Sequence, residues 1–385
     1  QKRRVPKHAM AGRWRRAREG PGDAGGAAEP SAPANPAASS GGEGRWRRGG
    51  TEQVEIARTL THSSSIALRS GVEVPVLGLG TRQLKGAECK EAVRAAMRCG
   101  YRLIDTSPGF GNEEDIISGI RLAGLRREDV FLVTKLSPSE HGDPDEVEEA
   151  LRTSLQRLGT AYVDLFLIQS PKGGSLIWTW DAVLAMKERG LTRAAGVCNL
   201  SPAHLASLAA TGRELPEVLQ VELHVAQQQR ALSAYCATAR IAVMAACPLG
   251  RGLLCRPHGP AGATDALRLL EGVAAKRGRS TSETALRWCL QKGYIVIPKS
   301  KAAARVEANA AFGFELSENE MRMLSSIDCQ FSVSSATKCL DLPWEDAMAE
   351  HSEVSDGDIG EERPRRRRRR RRKGKGKGKG GKASN

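Results

Sequence analysis

Eight short apolar runs, separated by amphipathic stretches, fill the middle of this 385-residue chain and restrict its fold more than any other feature. Runs of this length suit buried strands, and the stretches between them have the periodicity of helices that cover a sheet. Repeated strand–helix units predict a parallel sheet, and eight strands are the number that closes a barrel. The predicted strands are residues 76–79, 102–105, 130–135, 163–168, 194–198, 218–221, 241–245 and 295–298.

The segments between and before these runs support the same architecture. Helical patterns cover residues 88–99, 145–158, 202–208 and 282–291. Residues 66–75, with a Ser70-Gly71 turn, predict a β-hairpin across the floor of the barrel. The predicted fold class is therefore α/β, a (β/α)8 TIM barrel with an N-terminal hairpin. Periodicity alone leaves a doubly wound parallel sheet open as the alternative.

Both ends of the chain differ in composition from the middle. Residues 1–63 are rich in Gly, Ala, Pro and Arg, with too little patterned apolar content to offset chain entropy, which predicts a disordered basic region. Residues 64–335 form the predicted barrel, residues 336–362 an acidic linker, and residues 363–385 a disordered tail of Arg and Lys-Gly repeats. The net charge of +15 therefore belongs to the ends, and the middle is mildly acidic.

The charged tail and the cysteines indicate which cellular compartment and which partners to expect. Eight consecutive arginines at residues 365–372 predict attraction to nucleic acid or to an acidic partner, and they resemble a nuclear address. The nine cysteines include no C-x-x-C pair, which argues against a zinc ribbon and a secreted disulfide framework. We therefore predict a soluble cytoplasmic protein without a metal site or a membrane span. Acidic residues in the N-terminal region count against a transit peptide but leave it open.

Seven ordered motifs resemble those of the aldo-keto reductases. They read VLGLGT at 76–81, YRLIDTSPGFGNE at 101–113, QRLG at 156–159, GVCN at 196–199, QVELH at 220–224, PLGRG at 248–252 and IPKS at 297–300. They span roughly 260 residues, about the size of one barrel. The resemblance implies a TIM barrel that transfers hydride from NADPH to the carbonyl carbon of an aldehyde or ketone.

The resemblance assigns four catalytic positions, of which two are changed. The family's aspartate and lysine match Asp105 and Lys135, its tyrosine matches Phe110, and its histidine matches Gln169. The tyrosine is the family's proton donor, and phenylalanine has no proton to give. Gln169 can donate a hydrogen bond but cannot supply a proton at neutral pH. An aromatic residue that lines the family's substrate pocket is replaced by Arg82, which we place there with Phe110 and Gln169.

The resemblance also assigns the NADP(H) site. At its nicotinamide end the family's asparagine and glutamine are kept, and the family's serine is replaced by a cysteine. The family's tyrosine that stacks on the ring is replaced by Ala246, which removes about 0.5 to 1.5 kcal/mol of aromatic pairing. At its phosphate end Lys299, Ser300 and Arg305 match the grip on the 2′-phosphate, and NADP(H) is preferred over NAD(H). The predicted cofactor residues are Cys198, Asn199, Gln220, Cys247, Leu249, Gly250, Lys299, Ser300, Arg305 and Asn309.

Three functions remain open from the sequence. The first is an NADPH-dependent carbonyl reductase whose activity is weak or altered by Phe110 and Gln169. The second is a catalytically inactive NADP(H)-binding pseudoenzyme that acts as a sensor or scaffold. The third is a nucleic-acid-associated protein that acts through its basic tails.

Overall fold

Eight of ten strands lie side by side and parallel in the computed structural model, which describes residues 60–256 and 264–349. The strands are β1 Ser65–Ala67, β2 Glu73–Pro75, β3 Gly78–Gly80, β4 Leu103–Asp105, β5 Phe131–Leu136, β6 Val163–Ile168, β7 Thr192–Cys198, β8 Val218–Glu222, β9 Ala242–Ala246 and β10 Ile295–Val296. Strands β3 to β10 pair in chain order. Leu77 bridges Val296 in parallel, and the Gly80 amide donates to the Pro298 carbonyl at 3.1 Å, so the sheet closes on itself.

The barrel strands are buried on both faces. Every residue of β5, β6 and β8 is buried, which explains why these strands carry apolar residues on both faces. Polar residues such as Lys135, Asp164 and Gln220 lie among the apolar ones. Gly196 in β7 allows close packing, because an added Cβ would lie 2.4 Å from the Val218 carbonyl oxygen. The eight predicted strands and the TIM-barrel class are confirmed.

Helices surround the barrel. They are α1 Gly86–Arg98, α2 Glu113–Leu122, α3 Pro144–Arg157, α4 Leu176–Glu188, α5 Pro202–Ala210, α6 Arg230–Thr238, α7 Thr264–Lys276, α8 Thr281–Gln291, α9 Ala303–Asn309, α10 Glu318–Ser326 and α11 Trp344–Met348. Helix α1 buries one face, including Val93 and Met97, four residues apart. Helix α8 begins with a capping box between Ser280 and Glu283, which satisfies amides at its first turn.

The N-terminal hairpin is present. Strands β1 and β2 are antiparallel, with Ile66 opposite Val74, and both of these side chains are buried. Gly71 supplies the left-handed turn residue at φ 84°. The predicted hairpin is therefore confirmed.

The C-terminal part of the described chain packs against the barrel. Residues Ser335–Asp341 form a 3-10 helix and α11 follows it, although both overlap the predicted linker at 336–362. Cys339 and Ala347 are buried there. The predicted division into domains stays a prediction, and the predicted structure and partners of residues 1–59 and 350–385 lie outside the described residues. None of the helices within the described ranges is long and apolar enough to cross a membrane.

Candidate active site

A cavity of about 680 Å³ lies where the barrel strands end. All eight barrel strands contribute to its wall, either at their last residues or at the residues that follow them. In strand order these contributors are Gly80 and Arg82, Asp105, Lys135, Gln169, Cys198 and Asn199, Gln220 and Glu222, Ala246 and Cys247, then Lys299 and Ser300. The carboxyl ends of the strands are where barrels of this class carry their functional residues.

A buried ion pair forms one end of the cavity. The Lys135 Nζ donates to Asp105 Oδ1 at 2.5 Å and to the Thr106 carbonyl oxygen at 2.8 Å. Gln220 Nε2 donates to the same Asp105 oxygen at 2.7 Å. The side chains of Asp105 and Lys135 are 6% and 4% exposed, so neither charge is balanced by bulk water.

Phe110 and Gln169 lie next to this pair. The Lys135 Nζ lies 5.6 Å from the centroid of the Phe110 ring, which is within the range of a cation–π contact. Gln169 directly follows β6, and its Oε1 accepts a hydrogen bond from Ser107 Oγ at 3.0 Å. That bond leaves the Gln169 amide nitrogen as a donor for another oxygen.

Residues that follow β7 and β8 line the adjoining wall. Asn199 Nδ2 donates to the Gln169 carbonyl oxygen at 3.2 Å, which leaves its own side-chain oxygen as an acceptor. Cys198 is buried with its Sγ 4.0 Å from Gln220 Oε1. Burial raises the pKa of the Cys198 thiol to about 12, so this group is a neutral thiol at physiological pH.

The backbone around the cavity is strained. Four non-glycine residues on or beside its wall have left-handed φ angles: Gln83 at 66°, Asn199 at 59°, Cys247 at 49° and Arg251 at 53°. Such conformations cost of order 1–3 kcal/mol each and are typical of functional sites. They follow β3, β7 and β9, where the chain turns sharply away from the barrel.

The opposite end of the cavity is cationic. Lys299 and Arg305 are exposed, and Ser300 between them is buried. Arg305 Nε donates to Ser300 Oγ at 3.2 Å, which holds the guanidinium beside the hydroxyl. Asn309, at the end of α9, is also buried at this wall. Two exposed cations with a hydroxyl and an amide form a donor set that suits a phosphate monoester.

The structure brings together all the residues predicted for the site except one. Gly250 is absent from the described cavity wall, because its left-handed backbone at φ 54° turns it beneath Leu254. An added Cβ at Gly250 would lie 3.0 Å from Leu254 Cγ, which gives this glycine a packing reason of its own.

Sequence reasoning missed Glu222 and the C-terminal segment at 332–337. Glu222 lies two residues after Gln220 on β8 and therefore shares its inward face, a signal that could have identified it. The segment at 332–337 contributes Ser334 and Ala336 to the cavity wall, and no motif in the sequence indicated this.

Glu222 holds the segment at 332–337 against the barrel by hydrogen bonds. Its carboxylate accepts hydrogen bonds from the Val333 amide at 2.7 Å, the Ser334 amide at 2.8 Å, and the hydroxyls of Ser332 and Thr337 at 2.9 Å each. Burial alone would raise the pKa of Glu222, but the hydrogen bonds from His224 and from this segment outweigh burial and leave it below its ordinary value.

The cavity suits the NADP(H) that the sequence resemblance implies. It extends without interruption from the Asp105–Lys135 pair to Lys299 and Arg305, so one elongated molecule could contact both ends. The cationic end offers the charge that a 2′-phosphate needs. Gly80 allows two segments of this wall to pack closely, because an added Cβ would lie 2.9 Å from the Ile297 carbonyl oxygen.

Comparison with known proteins agrees with the fold. The model of the "Aldo/keto reductase family" matches residues 76–328. An aldo-keto reductase of Mycobacterium sp. (strain MCS) is 36% identical over 272 residues, which are 69% of this chain and 90% of that protein. The methylglyoxal reductase DkgA of Yersinia pestis is also 36% identical, over 273 residues that cover 70% and 95%.

A solved structure gives the same result. The Bombyx mori aldo-keto reductase in complex with NADP is 29% identical, with a TM-score of 0.63 over 70% of this chain and 94% of that one. The motifs, the closed eight-stranded barrel and these matches lead to one conclusion: the chain belongs to the aldo/keto reductase family.

Proposed function

We propose that this protein is an NADP(H)-dependent oxidoreductase that reduces aldehydes or ketones to alcohols, with an activity weakened or altered by Phe110 and Gln169. The observation that carries the proposal is the continuous cavity, which joins the Asp105–Lys135 pair to the cationic end. The family uses NADP(H), and the Bombyx mori relative has NADP in its structure.

The cationic end is the proposed phosphate site. Lys299 and Arg305 supply positive charge to the 2′-phosphate, and the Ser300 hydroxyl adds a hydrogen bond. Asn309 lies beside them and contacts the adenine. A dianionic phosphate gains from this charge and a hydroxyl does not, so we expect NADPH to bind more tightly than NADH.

The proposed nicotinamide site lies near the ion pair. When bound, NADPH supplies the hydride. Asn199 and Gln220 each keep a side-chain oxygen that can accept from a carboxamide, because their amide nitrogens donate to Gln169 and Asp105. Cys198 and Cys247 fill space on this wall of the cavity, and Leu249 lines the cavity from the loop that follows β9. Ala246 offers no aromatic face.

The reacting carbonyl is proposed to lie between Gln169, Phe110 and Arg82. Ser107 holds the Gln169 side chain so that its amide nitrogen can donate to a carbonyl oxygen. Phe110 and Arg82 form the walls of this substrate pocket. A hydrogen bond to the oxygen polarises the carbonyl for hydride addition, which is the task left to Gln169 in the absence of a phenol.

One observation favours a second candidate, a catalytically inactive NADP(H)-binding sensor or scaffold. Phe110 presents a ring without a hydroxyl to Lys135, so the group that this lysine would assist is missing. The two candidates share the cofactor site and differ in turnover.

A titration followed by an assay on the same sample separates the two. NADPH is titrated by fluorescence, and methylglyoxal is then added because one relative is named for its reduction. The reductase proposal expects binding and a slow loss of NADPH absorbance with stoichiometric alcohol formation. Binding without alcohol over many hours would favour the inactive candidate, and lack of NADPH binding would contradict both.

The basic tail supports a separate proposal, that residues 363–385 bind nucleic acid or an acidic partner and act as a nuclear address. Removal of these residues is expected to abolish salt-sensitive retention on immobilised RNA and DNA and to leave the NADPH affinity unchanged. Equal retention with and without the tail would contradict the proposal.

A further inference from the structure

The Lys135 ammonium lines the cavity and has one N–H group that no described residue accepts. An ammonium carries three N–H donors. Two of them are used, by Asp105 Oδ1 at 2.5 Å and by the Thr106 carbonyl oxygen at 2.8 Å, and both acceptors lie at the end of β4. Within residues 60–256 and 264–349 Lys135 has no other hydrogen-bond acceptor, and it lines the cavity. The third N–H is therefore available to a bound molecule.

The groups around Lys135 are poor proton sources. Phe110 has no acidic hydrogen, and the amides of Gln169 and Asn199 do not release protons at ordinary pH. The thiols of Cys198 and Cys247 carry a removable proton, but burial raises the pKa of both, and the Cys198 sulfur lies against Gln220. A reduced carbonyl needs a proton, and Lys135 is the charged acid that lines this end of the cavity.

We propose that Lys135 is the proton donor of the reduction, in the role that a phenol at position 110 would otherwise fill. The inference rests on the proposed reductase function. The carbonyl carbon accepts the hydride from NADPH, and the C=O π electrons move to the oxygen. An N–H bond of Lys135 breaks as an O–H bond forms, so the products are the alcohol, NADP⁺ and a neutral amine.

Asp105 makes this transfer compatible with burial. Its carboxylate balances the ammonium before transfer and still accepts an N–H hydrogen bond from the amine afterwards. Gln220 donates to the same carboxylate at 2.7 Å, so Asp105 keeps a partner while Lys135 is neutral. The amine then takes a proton from a water molecule that enters the cavity, and the hydroxide formed leaves to bulk solvent, where it is neutralised.

Lys135→Arg is the decisive variant. A guanidinium keeps the positive charge beside Asp105 but does not lose a proton in proteins, so an ion pair is retained and the acid is removed. We expect single-turnover reduction of methylglyoxal by bound NADPH to fall about 100- to 10,000-fold, the usual effect of losing a general acid.

Two controls separate chemistry from structure. Lys90→Arg changes a lysine that forms an ion pair with Asp115 on the surface, and it is expected to retain the parent rate. NADPH affinity and thermal unfolding of Lys135→Arg are expected to match those of the parent. If that variant fails to fold, the double variant Lys135→Met with Asp105→Asn removes both charges, which avoids a lone buried ion, and it is expected to bind NADPH without turnover.

The outcomes distinguish this inference from the proposed function. A parent that turns over, with Lys135→Arg equally active, overturns the role of Lys135 and leaves the reductase function intact. A parent that binds NADPH without any turnover overturns both.

Discussion

At the scale of single residues, the proposed chemistry depends on Phe110 and Lys135. The ring lies 5.6 Å from the ammonium and contributes no proton, while Asp105, Thr106 and Gln220 hold the ion pair in place. At the other end of the cavity Arg305 donates a hydrogen bond to Ser300 and is exposed to solvent. In the proposed assignment of the site, the residues that position charge are kept, and the residues that would move a proton in the family's usual way are changed.

Phe110→Tyr is expected to increase carbonyl reduction. The new hydroxyl would stand near the Lys135 ammonium and supply the missing acid, which is worth up to about 100- to 10,000-fold, less any contribution that Lys135 already makes. Steady-state turnover of methylglyoxal is the measurement. Phe314→Tyr is the matched control, because Phe314 also stacks with a cation, Arg279 at 4.8 Å, away from the cavity. Equal turnover in the parent and Phe110→Tyr would argue against a reacting carbonyl at this position.

Arg305→Ala is expected to weaken NADPH binding and to leave NADH binding unchanged. Hydrogen bonds to charged groups contribute about 1.5–3 kcal/mol, which corresponds to about a 10- to 100-fold loss of affinity. Fluorescence titration with both cofactors measures the effect. Arg322→Ala, an exposed arginine on α10 that pairs with Glu318, serves as the control and is expected to bind both like the parent. A similar loss for NADH would contradict the proposed 2′-phosphate contact.

Glu222 acts at the scale of elements, because it joins the end of β8 to the segment at 332–337. Four hydrogen bonds from that segment converge on one buried carboxylate. Ser334 and Ala336 form part of the cavity wall only as long as the segment stays in this position. The shape of the cavity therefore depends on a contact between a barrel strand and the C-terminal chain.

Glu222→Ala is expected to loosen this segment. The backbone amides of Val333 and Ser334 would lose their acceptor, so we expect faster hydrogen exchange there and a higher KM for methylglyoxal, with NADPH affinity retained. Hydrogen exchange followed by mass spectrometry, together with steady-state kinetics, measures both effects. Glu345→Ala, an exposed glutamate in α11, is the control. Unchanged exchange in the 332–337 segment of Glu222→Ala would rule out the anchoring role.

At the scale of the whole molecule, helix-to-helix ion pairs reinforce the barrel's outer layer. Glu320 in α10 accepts hydrogen bonds from Arg277, which follows α7, at 2.5 and 2.8 Å. This hydrogen-bonded pair lowers the pKa of Glu320 to about 2 from an ordinary 4.5. A depressed pKa in the folded state gives stability that is present above pH 4.5 and lost as the pH falls toward 2.

Glu320→Gln is therefore expected to destabilise the protein at pH 7 and to have a smaller effect as the pH falls below 4.5. The loss is expected to be up to about 1 kcal/mol, because solvent screens the half-exposed Arg277. Chemical unfolding across a pH series, with Glu318→Gln as an exposed control on the same helix, tests it. A constant difference between parent and variant from pH 7 to 3 would contradict the linkage.

The sequence by itself determined the barrel, its hairpin and about half of the residues of the cavity wall. Strand and helix periodicities are local properties, so the strands could be predicted in advance. The resemblance to the aldo-keto reductases implied that Asp105, Lys135 and Gln169 share one site, and these residues lie at the edge where the carboxyl ends of the parallel strands meet. Only the tertiary structure decided which contacts those residues make. Glu222 and Val333 are 111 positions apart, and Gly250 turns under Leu254 rather than into the cavity. Such contacts depend on how distant segments pack, which no local pattern specifies.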